Sequence, residues 1–551
     1  MFLLSLLRIT RSHKLNHETV IVILAVYFGV VLNFPFNQRI MALSGDGQLL
    51  FSLTPALVLS ACFTIIFSLF PSRFVFKPIM VFLLCTSAAA MYATLKYNIL
   101  FDYSMIENIF ETNSGEAESY LNAQSILYVL LLGILPSIWL LKTKIIRPQK
   151  FYMMLLRRLG LIVASIIVIG LVAAFFYKDY ASVGRNNKYL NKMITPAHVY
   201  NIVRYIDRNY FTTPLPYHIR GLDAKMAVST NNKPTLLVVM LGETARAQNF
   251  FYNGYTRNTN PYTQDLDIIS FQHVSSCGTA TAHSLPCMFS SFTRNNYSKD
   301  KANAQDNVLD IINHAGADVT WFDNDGGDKK VASHIIKHEI STDKINTDCN
   351  GSSCYDDILV QKLSTFIDTQ SKKVTDNVKN QLVVMHTIGS HGPTYYQRYP
   401  IEKEEFTPAC RRSDIENCSD QEIVNVYDNT IAYTDYVLSE IIKELKSVND
   451  QYNVAMVYIS DHGESLGENG LYLHGTPYTF APQEQTHVPW LMWLPEQFAS
   501  AQHINANCIR QEAKTEIFSH DNLFHTLLGL FNISTTVKDN ELDITNACKT
   551  I

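Results

Sequence analysis

A membrane domain of five helices followed by an α/β domain with a mostly parallel sheet is the fold class this sequence predicts, on three observations. Apolar residues crowd into the first third of the 551 residues, although mean hydropathy over the whole chain is near zero. The remainder alternates short β-branched runs with helical patterns, the signature of an α/β domain. Eight of the ten cysteines follow Lys178. The length also exceeds what one hydrophobic core usually organises, so at least two domains are expected.

Five apolar runs precede Lys178: residues 20–34, 49–70, 78–95, 125–141 and 159–176. Each approaches the roughly 20 residues a helix needs to cross hydrocarbon, and backbone polar groups in lipid must be satisfied within the segment. Cationic clusters set the orientation. Arg8, Arg11 and Lys14 precede the first run; Arg73 and Lys77 lie between the second and third; Lys142, Lys144, Arg147, Lys150, Arg157 and Arg158 lie between the fourth and fifth. All three belong on the cytoplasmic side. The loop between the third and fourth runs carries Asp102, Glu107, Glu111, Glu116 and Glu118 instead. An odd number of crossings puts the chain after Lys178 outside, and the runs are too many for a cleaved signal peptide to be the better account.

Cysteine usage agrees with an oxidising outer compartment. Cys62 and Cys85 sit inside apolar runs, whereas the other eight form couples: Cys277 with Cys287, Cys349 with Cys354, Cys410 with Cys418, and the distant Cys508 with Cys548. An even count reads as a disulfide framework, although spacing alone does not give connectivity. A thiolate zinc site lacks any Cys-x-x-Cys pair to support it. After Thr195-Pro196, the residues Val199, Ile202, Val203 and Ile206 suit one face of a helix, which either lies on the membrane surface or packs on the soluble domain. The expected division is a transmembrane domain over 1–178, a bridging helix and linker over 179–232, and a catalytic domain over 233–551.

In the soluble half, residues 235–241, 381–385 and 454–459 read as strands, and 307–314 and 427–445 as helices. Ligands of such sheets gather at the carboxyl ends of the strands. The first strand runs into Gly242-Glu243-Thr244, and the last into Ser460-Asp461-His462-Gly463-Glu464. Carboxylate oxygen and imidazole nitrogen suit Zn²⁺ or Mn²⁺, with one position left for a reacting group. Between them lies Cys277-Gly278-Thr279-Ala280-Thr281-Ala282-His283, a stretch of small residues that opens a helix with an anion-attracting terminus or forms a plain Ser/Thr loop pinned by a disulfide. The residues leave the choice between Thr279 and Thr281 as nucleophile open. His391 and His474, each followed by Gly, lie in loops that display side chains, His386 directly follows a strand, and Lys329 sits in a polar turn.

Together, Gly242-Glu243-Thr244-Ala245-Arg246, the Cys-Gly-Thr-Ala-Thr stretch, Gly389-Ser390-His391-Gly392-Pro393, Ser460-Asp461-His462-Gly463-Glu464 and Leu473-His474-Gly475 resemble the motifs of lipid A phosphoethanolamine transferases, the family that includes the mobile colistin-resistance enzymes. The resemblance implies an alkaline-phosphatase/sulfatase-like fold and zinc held by Glu243, Thr281, Asp461 and His462. Thr281 would be the nucleophile, with one tightly held Zn²⁺ and a place left open for a second during turnover. It further implies that Lys329, His391 and His474 contact the phosphoethanolamine group, and that Asn108, Thr112 and Glu116, spaced i, i+4, i+8, hold the substrate head group. Phosphatidylethanolamine would be the donor and lipid A the acceptor. The implied setting is a multi-pass, monomeric protein of the Gram-negative inner membrane, with a cytoplasmic N-terminus and a periplasmic catalytic domain, conferring polymyxin resistance.

Rival readings are the same chemistry on an inner-core sugar or periplasmic glucan, a sulfatase-like hydrolase, a lipoteichoic-type phosphoglycerol transferase, and a tethered binding protein without activity. The sulfatase hallmark Cys/Ser-x-Pro-x-Arg is missing, since Ser284-Leu285-Pro286-Cys287 leads to Met288. A formal net charge of −5 and the lack of a basic patch interleaved with aromatics give no support to nucleic-acid binding.

Overall fold

The computed structural model describes residues 14–550, apart from 45–48, 71–72, 113–116, 118–119, 147, 149, 343–347, 351–352 and 372–378. Arg8, Arg11, Arg147, Glu116 and Glu118 therefore lie outside the described residues. Two compact units divide the chain: residues 1–106 with 121–207, and residues 107–120 with 208–551.

The first unit is built of apolar helices. α1 (His17–Leu32) and α2 (Phe34–Leu43) form a pair bent by 56°. Asn33 stands at the break, and Pro35, which has no N–H to give, lies in the first turn of α2. The Asn33 amide donates to the carbonyls of Phe28 and Thr195 and accepts from Thr195 N–H, satisfying backbone groups that the bend leaves bare. α3 (Leu49–Ser68), α4 (Arg73–Tyr97), α5 (Tyr103–Glu111), α6 (Ala123–Lys142) and α7 (Phe151–Asn186) follow. Four described helices are long and apolar enough to cross a membrane, five with the bent pair as one span. Arg157 and Arg158 lie inside α7 rather than in a loop before it. Buried Arg158 reaches His17 Nδ1 at 3.0 Å and the Ser68 carbonyl at 3.3 Å, tying three helices together. α8 (Ala197–Ile206) buries His198 and Tyr205, and leaves Val203 and Ile206 exposed.

In the second unit, seven strands form one sheet: β1 (Thr235–Gly242), β2 (Ile269–Phe271), β3 (Asp318–Asp323), β4 (Ile336–Glu339), β5 (Gln381–His386), β6 (Asn453–Ser460) and β7 (Trp490–Trp493). Their spatial order is β2-β7-β6-β1-β5-β3-β4. β6, β1, β5, β3 and β4 run parallel; β7 is antiparallel to its neighbour β6, and β2 is antiparallel to β7. Every residue of β1, β5 and β6 is buried, as continuous apolar runs covered on both faces require. α9 (Thr281–Met288), α10 (Val308–His314), α11 (Asp357–Ser371) and α12 (Asp420–Ser447) are among the helices of this unit. Capping boxes start two of them, Asn307 with Asp310 on α10 and Ser419 with Glu422 on α12. The strands and helices expected in this unit reappear with ends shifted by one or two residues, except that α12 begins seven residues before the expected 427.

Register fixes where the chemistry falls. Ser460 of β6 pairs with Gly242 of β1, Leu241 of β1 with His386 of β5, and His386 with Asp323 of β3. The carboxyl ends of four adjacent strands thus deliver Asp461, Glu243, His386 and Asp323 to one edge of the sheet.

Candidate metal centre

Glu243, Asp461 and His462 are completely buried, and Thr281 is nearly so. Thr281 is the first residue of α9, and its hydroxyl faces the Glu243 carboxylate at 2.9 and 3.1 Å and His462 Nε2 at 3.3 Å. His462 Nε2 lies 3.3 Å from Asp461 Oδ2 and 3.5 Å from Glu243 Oε1. Ligands about a tetrahedral ion with bonds near 2.0 Å stand about 3.3 Å apart, so these spacings fit Zn²⁺. Thr279, the other candidate, turns its hydroxyl to the Thr476 carbonyl.

The surroundings also fit a cation. His462 Nδ1 donates to the Gly463 carbonyl, which leaves the Nε2 lone pair facing the cluster. Asp461 Oδ1 accepts from the backbone N–H of Thr244 and His462, while buried Asp461 Oδ2 has no hydrogen-bond partner. Burial, then the nearby Asp461 and Asp325 carboxylates, push the Glu243 carboxyl well above the usual range. For Asp461, burial works upward too, but His462, the Glu243 carboxyl, His386 and the Thr281 hydroxyl together outweigh it, and its carboxyl stays below that range. Burial brings the His462 pKa down to about 4, holding the ring neutral as a ligand must be. Crowded carboxylates with an unsatisfied oxygen call for a positive ion.

Loops around the cluster are locked in place. Cys277–Cys287 is a disulfide bracketing the Thr281 stretch, and Cys349–Cys354, Cys410–Cys418 and Cys508–Cys548 are joined likewise. Gly389, at φ +50°, lies against the Glu243 backbone, where a Cβ would come within 2.7 Å of the Glu243 carbonyl oxygen. Ser390 N–H donates to that same carbonyl. Buried Asp356 accepts from the N–H groups of Ile388 and Gly389, holding the loop that carries His391.

His391 and His474 stand together beside the cluster, their ring centres 5.4 Å apart and the His474 ring 4.5 Å from that of His462. Buried Glu464 accepts from the Tyr395 hydroxyl at 2.6 Å and sits 2.8 Å from His474 Nδ1, so it orients that imidazole. Lys329 donates to the Glu111 carbonyl at 3.0 Å, and Lys299 pairs with Glu111 at 2.6 Å and Glu107 at 3.6 Å. α5 ends at Glu111, so Asn108 lies in the helix and Thr112 just past its end, while Glu116 lies outside the described residues. The Thr112 hydroxyl still bonds the Asn108 carbonyl at 2.7 Å.

Sequence reasoning passed over Asp323, Asp325, Asp356 and Glu464. Asp325 and His386 join Glu243 in a second buried group of ligand atoms within 4.8 Å of one another. Asp323 ends β3, much as Glu243 follows directly on β1, and the apolar run before the polar turn carries that signal.

The sulfatase family model matches residues 235–533, and a model described as phosphoethanolamine transferase EptA/EptB matches residues 59–210. Phosphoethanolamine transferase EptA of Escherichia coli K12 is 36% identical over 550 residues, 99% of each chain. Phosphatidylethanolamine transferase Mcr-1 of Escherichia coli is 36% identical over 531 residues, 94% of this chain and 95% of its own. The solved integral membrane protein lipooligosaccharide phosphoethanolamine transferase A from Neisseria meningitidis matches with a TM-score of 0.92 at 35% identity, covering 98% of this chain and 100% of that one. Sheet, helices and full-length likeness agree, and the chain belongs to the EptA phosphoethanolamine transferase family, with a catalytic unit of the alkaline-phosphatase/sulfatase-like fold.

Proposed function

We propose that this protein transfers phosphoethanolamine from phosphatidylethanolamine to a phosphate of lipid A through a covalent intermediate on Thr281. The observation that carries the reading is the meeting of the Thr281 hydroxyl with Glu243, Asp461 and His462 in one buried cluster. A single Zn²⁺ held by those four residues would supply Lewis acidity, lowering the hydroxyl pKa and drawing charge from the phosphoryl oxygens.

Thr281 Oγ attacks the phosphorus in line as the bond to the diacylglycerol oxygen breaks, and the hydroxyl proton leaves along its hydrogen bond to Glu243. The position of Thr281 at the start of α9 sets backbone N–H groups and the helix dipole toward the anionic group. His474, oriented by Glu464, is the better-supported proton donor to the departing diacylglycerol, because a carboxylate fixes its tautomer. His391 and Lys329 bind the transferred phosphate. An oxygen of a lipid A phosphate then attacks the phosphorus as its bond to Thr281 Oγ breaks, and Thr281 regains the proton held by Glu243. Asn108 and Thr112 are assigned to the head group of the substrate, on the near-catalytic segment that begins at Glu107.

The likeness to an integral membrane relative and the cation bias of the loops support an inner-membrane setting with the N-terminus cytoplasmic and the catalytic unit periplasmic. Each transfer adds an ammonium group beside a lipid A phosphate, which weakens the attraction of polycationic polymyxins. Thr281→Ala in a host without such enzymes tests the reading. The wild type adds one phosphoethanolamine to lipid A by intact mass, and the variant lowers transfer by more than about a thousandfold and loses the protein adduct. A mass shift on a glycan instead of lipid A, or an adduct that survives Thr281→Ala, overturns it.

A further inference from the structure

We propose that Glu243, Asp325 and His386 form a second divalent-cation site, sharing the Glu243 carboxylate with the first. This deepens the metal-dependent reading above and rests on it.

His386 ends β5, completely buried, between the strands that deliver Glu243 and Asp323. Its Nδ1 faces Asp323 Oδ2 at 3.4 Å. That carboxylate is held rigidly by the Trp321 indole N–H at 3.0 Å and by the backbone N–H groups of Gly326 and Gly327 at 2.7 and 2.8 Å. Fixed among donors, Asp323 calls for a proton on Nδ1, so Nε2 carries the lone pair. Nε2 has no hydrogen-bond partner and points at Asp325 Oδ2, 3.6 Å away.

A bare nitrogen lone pair facing a carboxylate oxygen in a dry interior is repulsive unless positive charge lies between them. A proton on Nε2 would draw the pair to the roughly 2.7–2.9 Å of a charge-assisted hydrogen bond. A separation of 3.6 Å is instead close to the roughly 3.4 Å between neighbouring ligands of an ion with bonds of about 2.1 Å. The ligand atoms of Glu243, Asp325 and His386 all fall within 4.8 Å of one another. A carboxylate on the far nitrogen of a histidine, as Asp323 stands to His386, is the usual outer support of a metal-bound imidazole.

Charge points the same way. Glu243, Asp461, Asp323 and Asp325 crowd four carboxylates into one buried patch, and Lys329 is the basic side chain closest in sequence to Asp325. One divalent ion with Lys329 leaves the patch negative, which repels a phosphodiester; a second ion reverses the sign. Nitrogen and carboxylate donors of this kind take Zn²⁺ or Mn²⁺. A second ion would add Lewis acidity for the charge that develops on the attacking and leaving oxygens of a phosphoryl transfer.

The test uses the full chain in detergent, stripped with chelator and titrated with Zn²⁺ alone, with metal counted by mass spectrometry. Wild type is expected to take up two equivalents, the second more weakly, and Asp325→Asn and His386→Gln to take up one. Asp461→Asn should instead lose the tight equivalent. Because His386→Gln removes a buried ring, wild type loaded with Mn²⁺ gives a reading free of folding: a spin-coupled pair is expected by electron paramagnetic resonance. A single equivalent, or only isolated Mn²⁺, overturns the second site and leaves the first intact. Two equivalents that persist in Asp325→Asn also overturn it. Failure to bind any metal sinks the first site as well.

Discussion

Replacing Gly389 with alanine isolates the mechanical link between a loop and a proposed metal ligand. Two costs can be worked out separately. At φ +50° an L-residue pays about 1–2 kcal/mol for the left-handed backbone. The added Cβ would also sit 2.7 Å from the Glu243 carbonyl oxygen and 2.9 Å from its nitrogen, closer than carbon tolerates, so backbone must move. Overpacking of this kind costs about 1–3 kcal/mol, giving a total of about 2–5 kcal/mol. The contact is with the main chain of the residue whose carboxylate faces Thr281, so relief of the clash displaces that carboxylate. Misplaced support around a metal lowers affinity by about 10–100-fold. Gly316→Ala is the control, since Gly316 has φ +101° and open space around it. It should lose stability from backbone strain alone and keep its zinc. Zinc affinity by chelator competition, alongside thermal unfolding, measures both variants. Gly389→Ala protein that holds zinc as tightly as wild type refutes the coupling.

Two further outcomes are expected. Glu464→Gln should lower the rate of transfer by about 10–100-fold through loss of His474 orientation, while zinc content stays at the wild-type level; a rate unchanged from wild type shows that the carboxylate does not position the imidazole. His525 accepts from the Asp539 N–H and burial brings its pKa from 6.5 to about 4, so the unfolded chain binds a proton there more readily than the folded one. That contribution is complete above pH 6.5 and is lost as pH falls toward 4, amounting to up to about 2 kcal/mol at pH 5. His525→Gln should therefore flatten the decline of thermal stability between pH 7 and pH 5, and parallel curves for the two proteins would contradict the assignment.

Glu243, Asp461 and His462 were legible because each follows a run so apolar that it must be a central strand, and strand ends are where ligands collect. The choice between Thr279 and Thr281 was not, since both are small hydroxyl residues two apart and only the start of α9 decides which one faces the cluster. Asp325 was hidden by its company: Asp323-Asn324-Asp325-Gly326-Gly327-Asp328 has the composition of a solvated turn, and nothing local says that the turn folds inward. β2 and β4 escaped notice because they are three and four residues long, too short for a period to register. The bend after Leu32 left a trace, since Asn33-Phe34-Pro35 interrupts an apolar run, but the partner that satisfies Asn33 there is the distant Thr195.

The catalytic unit is discontinuous along the chain, for residues 107–120 belong with 208–551. No single cut therefore releases it whole. A fragment beginning beyond the bridging helix lacks Glu107 and Glu111, whose carboxylates hold Lys299, and with them the Glu111 carbonyl that accepts from the Lys329 ammonium. Such a fragment carries two lysines stripped of their partners, and anions added to it meet a more cationic surface than the intact chain offers. Inhibitors ranked on the fragment will be biased toward acids, and the order should be re-established on the complete polypeptide.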